Sequence, residues 1–192
     1  MNEINQTKEP EASYTLEASE PIITPIPSLS LEELVSMEIS NPKIIIYKSK
    51  RKLYLYNNDE YLSSFDIGLG FSPVGAKTVQ GDGKTPEGEY YICYKNPKSK
   101  FHLSIGLSYP NKSDAQRALD EGRISQKTYD KIASAIDNGK RPPWDTPLGG
   151  EIMIHGHGSQ SDWTAGCIAV DDSIMDLLYK ICDLGTPVII NE

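Results

Sequence analysis

The segment that decides the fold prediction reads IMIHGHG at residues 152–158 and continues as WTAGCIA at residues 163–169. Apolar and β-branched residues next to glycines are typical of strands that end in tight turns. The segment also contains two of the three histidines and one of the three cysteines. A histidine and a cysteine so close together at predicted strand ends indicate a candidate site for nucleophilic catalysis.

Cys167 is the candidate nucleophile and His155 is its candidate base. A nearby imidazole lowers the pKa of a thiol, and the thiolate attacks carbonyl groups without the help of a metal. Gly166 permits a tight turn in which the N–H groups of residues 166 and 167 point at one position, which suits the oxyanion of a tetrahedral intermediate. We expect the hydroxyl of Thr164 to support this turn.

These residues resemble the signature of the L,D-transpeptidase (YkuD-type) catalytic domain, in which an HG dipeptide precedes an S/T-x-G-C turn. Upstream, GDGKTPEG at residues 81–88 is similar to the TP-x-G stretch of that family. The three motifs occur in the family's order, and the resemblance covers residues 43–191. Ala165 and Ala169 depart from it, because many members have His and Arg there. The helical pattern at residues 111–141 resembles a subgroup with an insertion before the HG motif.

The resemblance implies a mainly β (α+β) fold: a β-sandwich or flattened barrel with the helical insertion and a C-terminal helix near the active site. It implies that Cys167 attacks the carbonyl of the diamino-acid residue in a peptidoglycan stem peptide, expels the terminal D-alanine and holds the stem as a thioester. An amine from another stem then makes a cross-link, as in an L,D-transpeptidase, or water releases a tripeptide, as in an L,D-carboxypeptidase. No cofactor or metal is implied, and the substrate implies the cell envelope.

The implied catalytic residues are Cys167, His155 and Gly166, and the candidate substrate-binding residues are His157, Trp163 and Thr164. Alternatives remain for some of them. His157 is also consistent with a loop histidine that has no role, and with Cys167 and His155 it has the ligand types of a zinc site. A non-catalytic wall-binding module is a further alternative, although intact Cys and His residues argue against it.

The formal net charge of −8 comes largely from the beginning of the chain. Residues 1–40 contain eight glutamates and one lysine, so the remainder is almost neutral and has no basic stripe for nucleic acid. No apolar run approaches the roughly 18 residues that a membrane helix requires, and no export signal is recognisable. Oligomeric state has no sequence signal.

The chain divides into three predicted parts. Residues 1–29 are an acidic, proline-rich linker, and residues 30–42 form a short helix, capped by Ser30 and Glu33, with its connection. Residues 43–192 form the catalytic domain.

Within that domain we predict caps for the inserted helices at Ser113 with Gln116 and at Ser125. The last helix is expected to run from Asp171 or Asp172 to Gly185. The remaining cysteines, Cys93 and Cys182, are expected to be free and buried, and His102 is expected to be structural.

Overall fold

The structure is a computed structural model that describes residues 28–192. Its eight strands form one sheet in the order β3-β2-β1-β8-β4-β5-β6-β7. The helices are α1 (Leu31–Ser36), α2 (Lys112–Asp120), α3 (Gln126–Asp137) and α4 (Asp172–Ile181). The strands are β1 (Pro42–Tyr47), β2 (Lys52–Asn57), β3 (Glu60–Asp66), β4 (Gly88–Ser99), β5 (His102–Leu107), β6 (Met153–His155), β7 (Ile168–Ala169) and β8 (Pro187–Asn191). None of the helices in this described part is long and apolar enough to cross a membrane.

The two ends of the strand order meet, so the sheet is curled. The chain that follows β3 forms an antiparallel bridge from Gly68 to Ala169 of β7 and a parallel bridge from Gly70 to Thr164. Gly68 and Ala169 exchange two backbone hydrogen bonds of 2.9 and 2.8 Å. The predicted mainly β fold with a flattened barrel is therefore confirmed.

The core follows from the alternation of the strands. Ile44 and Ile46 of β1 and Leu53 and Leu55 of β2 are fully buried, while their neighbours in sequence are more exposed. Helix α4 covers the core with Met175, Leu177 and Leu178. Each fully buried side chain of this size contributes about 1.5–3 kcal/mol of transfer free energy.

Several predicted boundaries need correction. The N-cap of α2 is Asn111 with Asp114, and not Ser113 with Gln116, because the asparagine side chain accepts the hydrogen bond from the third helical N–H. Helix α4 begins at Asp172 as predicted, but it ends at Ile181 rather than Gly185. The caps at Ser30 and Ser125 are confirmed.

The predicted linker, residues 1–29, lies outside the described residues except at its end. There, the Leu29 N–H donates to the Leu62 carbonyl at 2.8 Å, and the hydroxyls of Ser28 and Ser63 lie 2.6 Å apart. All three cysteines are free. Cys182 is buried as predicted, whereas Cys93 is half-buried.

Buried cations organise the glycine-rich loop at residues 75–88. The Lys48 ammonium, only 2% exposed, donates to the Gly75 carbonyl at 2.7 Å, the Thr85 carbonyl at 3.1 Å and the Glu87 carboxylate at 2.7 Å. Lys77 is also buried and bonds Asp82 at 2.9 Å. Lys48 lies in the basic stretch KSKRK at residues 48–52, and its burial is a finding of the structure.

Asp82 holds the other side of this loop together. Its carboxylate accepts backbone N–H groups of Thr78, Val79 and Lys84. Burial alone would raise the pKa of Asp82, but these hydrogen bonds and the Lys77 ammonium lower it below its ordinary value. The loop is therefore held in one conformation by hydrogen bonds from its own backbone.

Helix α2 and the turn after it pack against the same loop. Arg117 donates to the Lys77 carbonyl at 3.3 Å, and Arg123 donates to the Thr78 carbonyl. At the start of α2, the buried Asp114 accepts hydrogen bonds from the Tyr90 hydroxyl at 2.9 Å and from Arg117 at 3.0 Å. Burial raises the pKa of this carboxyl. Helix α2 is thus a packing element that fixes the loop from outside.

The buried Lys48 gives a stability prediction. We expect Lys48→Met to lower the free energy of unfolding by about 3 kcal/mol, because two carbonyls and a carboxylate lose their buried donor. Lys52→Met is the control: its ion pair with Asp66 is largely exposed, so its effect should stay within about 1 kcal/mol. Urea unfolding of both variants measures the difference, and equal losses would contradict the assigned role of Lys48.

Candidate active site

Strand register places the candidate nucleophile and base on one face of the sheet. In the parallel pair of β6 and β7, Ile154 lies opposite Ile168 and His155 opposite Ala169. Cys167 precedes β7 by one residue and therefore lies beside Met153, two positions from His155 along the strand. From strand geometry, the Cα atoms of Cys167 and His155 are about 8 Å apart. Because alternate residues share a face, both side chains point to the same side.

The sulfur of Cys167 contacts the backbone of β6 and of the residues before it. It accepts a hydrogen bond from the Met153 N–H at 3.4 Å and donates to the Glu151 carbonyl at 3.5 Å. Glu151 has a positive φ of 56°, which turns the chain just before β6. Among the described residues, no hydrogen bond joins the sulfur to His155. The thiol is therefore in a resting position beside the base.

The pKa shifts of this pair differ from the sequence-based expectation. Burial raises the pKa of the Cys167 thiol above its ordinary value, even though the Met153 N–H and Lys77 act in the opposite direction. Burial also lowers the pKa of His155. Desolvation disfavours both the thiolate and the imidazolium in this arrangement. The expected lowering of the thiol pKa by the imidazole stays a prediction.

The tautomer and orientation of His155 are fixed. Its Nδ1 lies 2.7 Å from the Gly156 carbonyl oxygen, which can only accept, so Nδ1 carries the proton and Nε2 is free to accept one. The Phe101 ring stacks on the imidazole at a centroid distance of 4.6 Å, and the Trp163 ring meets it edge-on at 5.4 Å. His155 is only 2% exposed. A neutral imidazole held in this way is suited to act as a general base.

The turn before Cys167 is held by Thr164. The Thr164 hydroxyl accepts the Gly166 N–H at 3.1 Å and donates to the Cys167 carbonyl at 2.7 Å. Gly166 has a φ of 132°, and a Cβ there would lie 2.7 Å from the Lys84 carbonyl oxygen. Glycine is therefore required by both conformation and space.

This turn bears on two of the predicted roles. Because the Gly166 N–H is already bonded, it is not a free oxyanion donor. The Cys167 N–H takes part in no hydrogen bond among the described residues, so of the two predicted oxyanion donors it is the one that is free. Thr164 is buried and its hydroxyl is bonded within the turn, which it supports as expected, while its substrate-binding role stays a prediction.

Cys167 and His155 line the same groove, which has a volume of about 780 Å³. Lys77, Gln80, Phe101, Trp144, Glu151 and Ala165 also line it. His157 and Trp163 do not. His157 lines a separate shallow depression with Asp171 and Asp172, and its N–H donates to Asp172 at 2.7 Å. Trp163 packs on the base and donates to the Gly158 carbonyl, so neither predicted substrate-binding role is supported by the position of the residue.

The zinc alternative requires His155, His157 and Cys167 to converge. Within residues 28–192, no three His, Cys, Asp or Glu side chains are grouped so that they could hold a metal ion. The β6–β7 register puts Cys167 at the groove, whereas His157 lies in the other depression. This geometry does not fit a shared metal.

Sequence reasoning missed four residues of the site: Phe101, Met153, Glu151 and Lys77. Phe101 and Met153 read as ordinary strand residues, because their contacts depend on which strands pair. Lys77 carries no pattern of its own in the sequence. Only the GDGKTPEG motif carried a signal, since the partner of Lys77, Asp82, belongs to it.

Residues 41–190 match the model of the YkuD family, the L,D-transpeptidase catalytic domain. The match covers most of the chain, so this protein belongs to that family. The matched region contains the groove, the nucleophile turn and the glycine-rich loop. No curated protein matches the sequence.

Solved structures share the fold. Bd1075 from Bdellovibrio bacteriovorus superposes with a TM-score of 0.52 at 21% identity over 79% of this chain and 48% of the other. Pgp2 from Campylobacter jejuni, described as a helical cell shape determining protein, superposes with a TM-score of 0.51 at 24% identity over 84% of this chain and 54% of the other. The chain therefore spans about half the length of these two proteins.

The Thr164 hydroxyl gives a prediction for the nucleophile turn. We expect Thr164→Val to lower the free energy of unfolding by about 1–3 kcal/mol, because the buried Gly166 N–H loses its acceptor while the side-chain shape is kept. Thr164→Ser retains the hydroxyl and should lose less. Urea unfolding compares the variants, and a valine variant as stable as the wild type would show that this hydroxyl does not hold the turn.

His102 gives a pH prediction beside the site. Its Nε2 lies 2.6 Å from an Asp176 carboxylate oxygen, and this hydrogen bond raises the pKa of His102 above its ordinary value of 6.5. The pairing should therefore contribute its full stabilisation at pH values below the pKa that His102 has in the unfolded chain. That contribution should be lost as the pH rises through the pKa of His102 in the folded protein. Asp176→Asn should remove the shift. NMR titration of His102 in both proteins measures it, and identical pKa values would contradict the pairing.

Proposed function

We propose that this protein is an acyl transferase acting on peptidoglycan stem peptides through a thioester on Cys167. One observation carries the proposal: Cys167 and His155 lie on one face of the β6–β7 pair and line the same groove, with Nε2 of the base free. Membership of the L,D-transpeptidase family supplies the substrate class. The substrate in turn supports an action in the cell envelope.

The first step is acylation. Rotation about χ1 of Cys167 brings the sulfur from its Met153 and Glu151 contacts toward His155. Nε2 takes the thiol proton as the sulfur attacks the carbonyl of the diamino-acid residue. The Cys167 N–H is the nearest free donor for the resulting oxyanion. When the C–N bond breaks, His155 returns the proton to the amine, D-alanine leaves, and the stem remains as a thioester.

The second step resolves the thioester. His155 removes a proton from an incoming amine or water, which attacks the thioester carbonyl, and the sulfur leaves as a thiol after taking that proton. An amine from a second stem gives a cross-link, and water gives a tripeptide. The small, exposed Ala165 lines the groove beside the nucleophile, which leaves water room to approach and favours hydrolysis as the second candidate activity.

A carbapenem tests the nucleophile directly. We expect the wild type to gain the mass of one carbapenem, because attack on the lactam forms the same kind of acyl-thiol bond. Cys167→Ala should gain none, while Cys93→Ala should react like the wild type, since burial raises the pKa of the Cys93 thiol to about 12. His155→Gln should react about 100-fold more slowly. Intact-mass spectrometry gives the stoichiometry and the rate.

Two results would count against the proposal. Labelling of the Cys167→Ala variant would assign the reaction to another thiol, and an unreactive wild type would favour a non-catalytic wall-binding module. Product analysis with a disaccharide tetrapeptide separates the two activities, because a cross-linked dimer indicates transpeptidation and a tripeptide indicates hydrolysis. Loss of both products in folded Cys167→Ala is the expected control.

A further inference from the structure

A second groove of about 1270 Å³ continues from the nucleophile groove toward the helical insertion. The two share Asn96, Trp144, Asp145, Glu151 and Met153 as lining residues. Beyond the shared part, the second groove is lined by α3 and by the segment of residues 140–143. A peptide bound at Cys167 therefore has a continuous path into this space.

A row of paired residues connects the two grooves across the sheet. Tyr94 of β4 lies opposite Gly106 of β5, which lies opposite Met153 of β6, and the Met153 N–H contacts the Cys167 sulfur. A Cβ on Gly106 would lie 3.3 Å from the Trp144 ring, so this glycine makes room for the indole. Trp144 therefore lies over the sheet two strand spacings, or roughly 10 Å, from the nucleophile.

Arg141 stacks on two aromatic side chains at this place. Its guanidinium carbon lies 4.8 Å from the centroid of the Trp144 ring and 5.8 Å from that of Tyr94, and the two rings meet edge-on at 6.0 Å. Among the described residues, Arg141 forms no hydrogen bond and no ion pair. A guanidinium that stacks on aromatic rings and has unused N–H donors is available for bidentate binding of a carboxylate.

Charged residues line both parts of the joined groove. Lys77 and Lys100 line the part with Cys167, Asp145 and Glu151 line the shared part, and Lys127, Lys131 and Arg141 line the part toward α3. Lys77 is paired with Asp82, and Asp130 in the outer part accepts a hydrogen bond from the Gln126 side chain at 2.8 Å. The outer part therefore offers a group of cations, Arg141 among them, to an anionic group of a bound peptide.

We propose that Arg141 binds a carboxylate of the peptide whose carbonyl is attacked by Cys167. The carboxylate lies on the part of the peptide that stays on the enzyme. Because Arg141 stacks on Trp144, which itself lies roughly 10 Å from the nucleophile, at least about three extended residues separate the carboxylate from the attacked carbonyl. The ligand class is an extended acidic peptide. The proposal rests on the proposed function and adds a specificity-determining residue to it.

The test is a binding cycle in Cys167→Ala protein, which cannot turn over the peptide. Isothermal titration measures the Kd of a stem tetrapeptide and of versions in which one free carboxylate, other than the terminal one, is replaced by its amide. We expect Arg141→Gln to weaken binding of the free-acid peptide about tenfold, because a charge-assisted bidentate pair is lost. The peptide in which the carboxylate bound by Arg141 is replaced by its amide should bind equally weakly to the protein with Arg141 and to the Arg141→Gln variant. Arg141→Lys should fall between the two.

Lys50→Gln is the matched control, because the Lys50 ammonium also stacks on an aromatic ring, Tyr47, at 4.8 Å but does not line either groove. It should leave every Kd unchanged. The proposal is overturned if Arg141→Gln has no effect, if it weakens the acid and amide forms equally, or if no stem peptide binds. Carbapenem labelling of Arg141→Gln protein with Cys167 intact distinguishes a failure of this proposal from a failure of the proposed function. If this variant is labelled normally and its peptide affinity is unchanged, the role of Arg141 is refuted and the nucleophile assignment stands.

Discussion

The closure of the curled sheet around the nucleophile turn is the constraint on which the site depends. Strand β7 has only two residues, yet it is bonded to β6 on one side and to the chain after β3 on the other. Gly68 and Gly70 permit that close approach, since a Cβ at either would meet backbone atoms of neighbouring segments. A turn bonded on both sides can present Cys167 at a fixed position without a long strand behind it.

Two buried lysines hold the loop that packs against this turn. Lys48 gathers carbonyls of the glycine-rich loop, and Lys77 pairs with Asp82 inside it. The loop then packs on Gly166 through the Lys84 carbonyl, and α2 braces it from outside through Arg117. Lysine side chains are rarely buried unless their charge is paired. Here they donate to carbonyls that the irregular backbone of the loop would otherwise leave without hydrogen bonds. His155 is buried within these contacts and Cys167 is half-buried, and burial disfavours the charged form of each.

The groove contains charged and aromatic residues in addition to Cys167 and His155. Asp145 and Glu151 line the part that the two grooves share, and in the outer part Arg141 stacks on Trp144 and Tyr94. The segment of α2 and α3 therefore both braces the loop and lines the outer groove.

Local patterns along the chain were enough to predict the strand-rich fold, the caps at Ser30 and Ser125, and Cys167, His155 and Gly166 as the motif residues, because periodicity, capping and turn chemistry are local. The substrate-binding roles predicted for His157, Trp163 and Thr164 stay predictions, and the first two residues lie outside the groove that Cys167 lines. The sequence did not point to Phe101, Met153, Lys77 or Arg141. Their positions depend on strand pairing and on contacts between segments far apart in the chain, and pairwise register is not written in any single segment. Only the folded chain shows which residues face the groove and that His155 is buried, because both depend on tertiary packing.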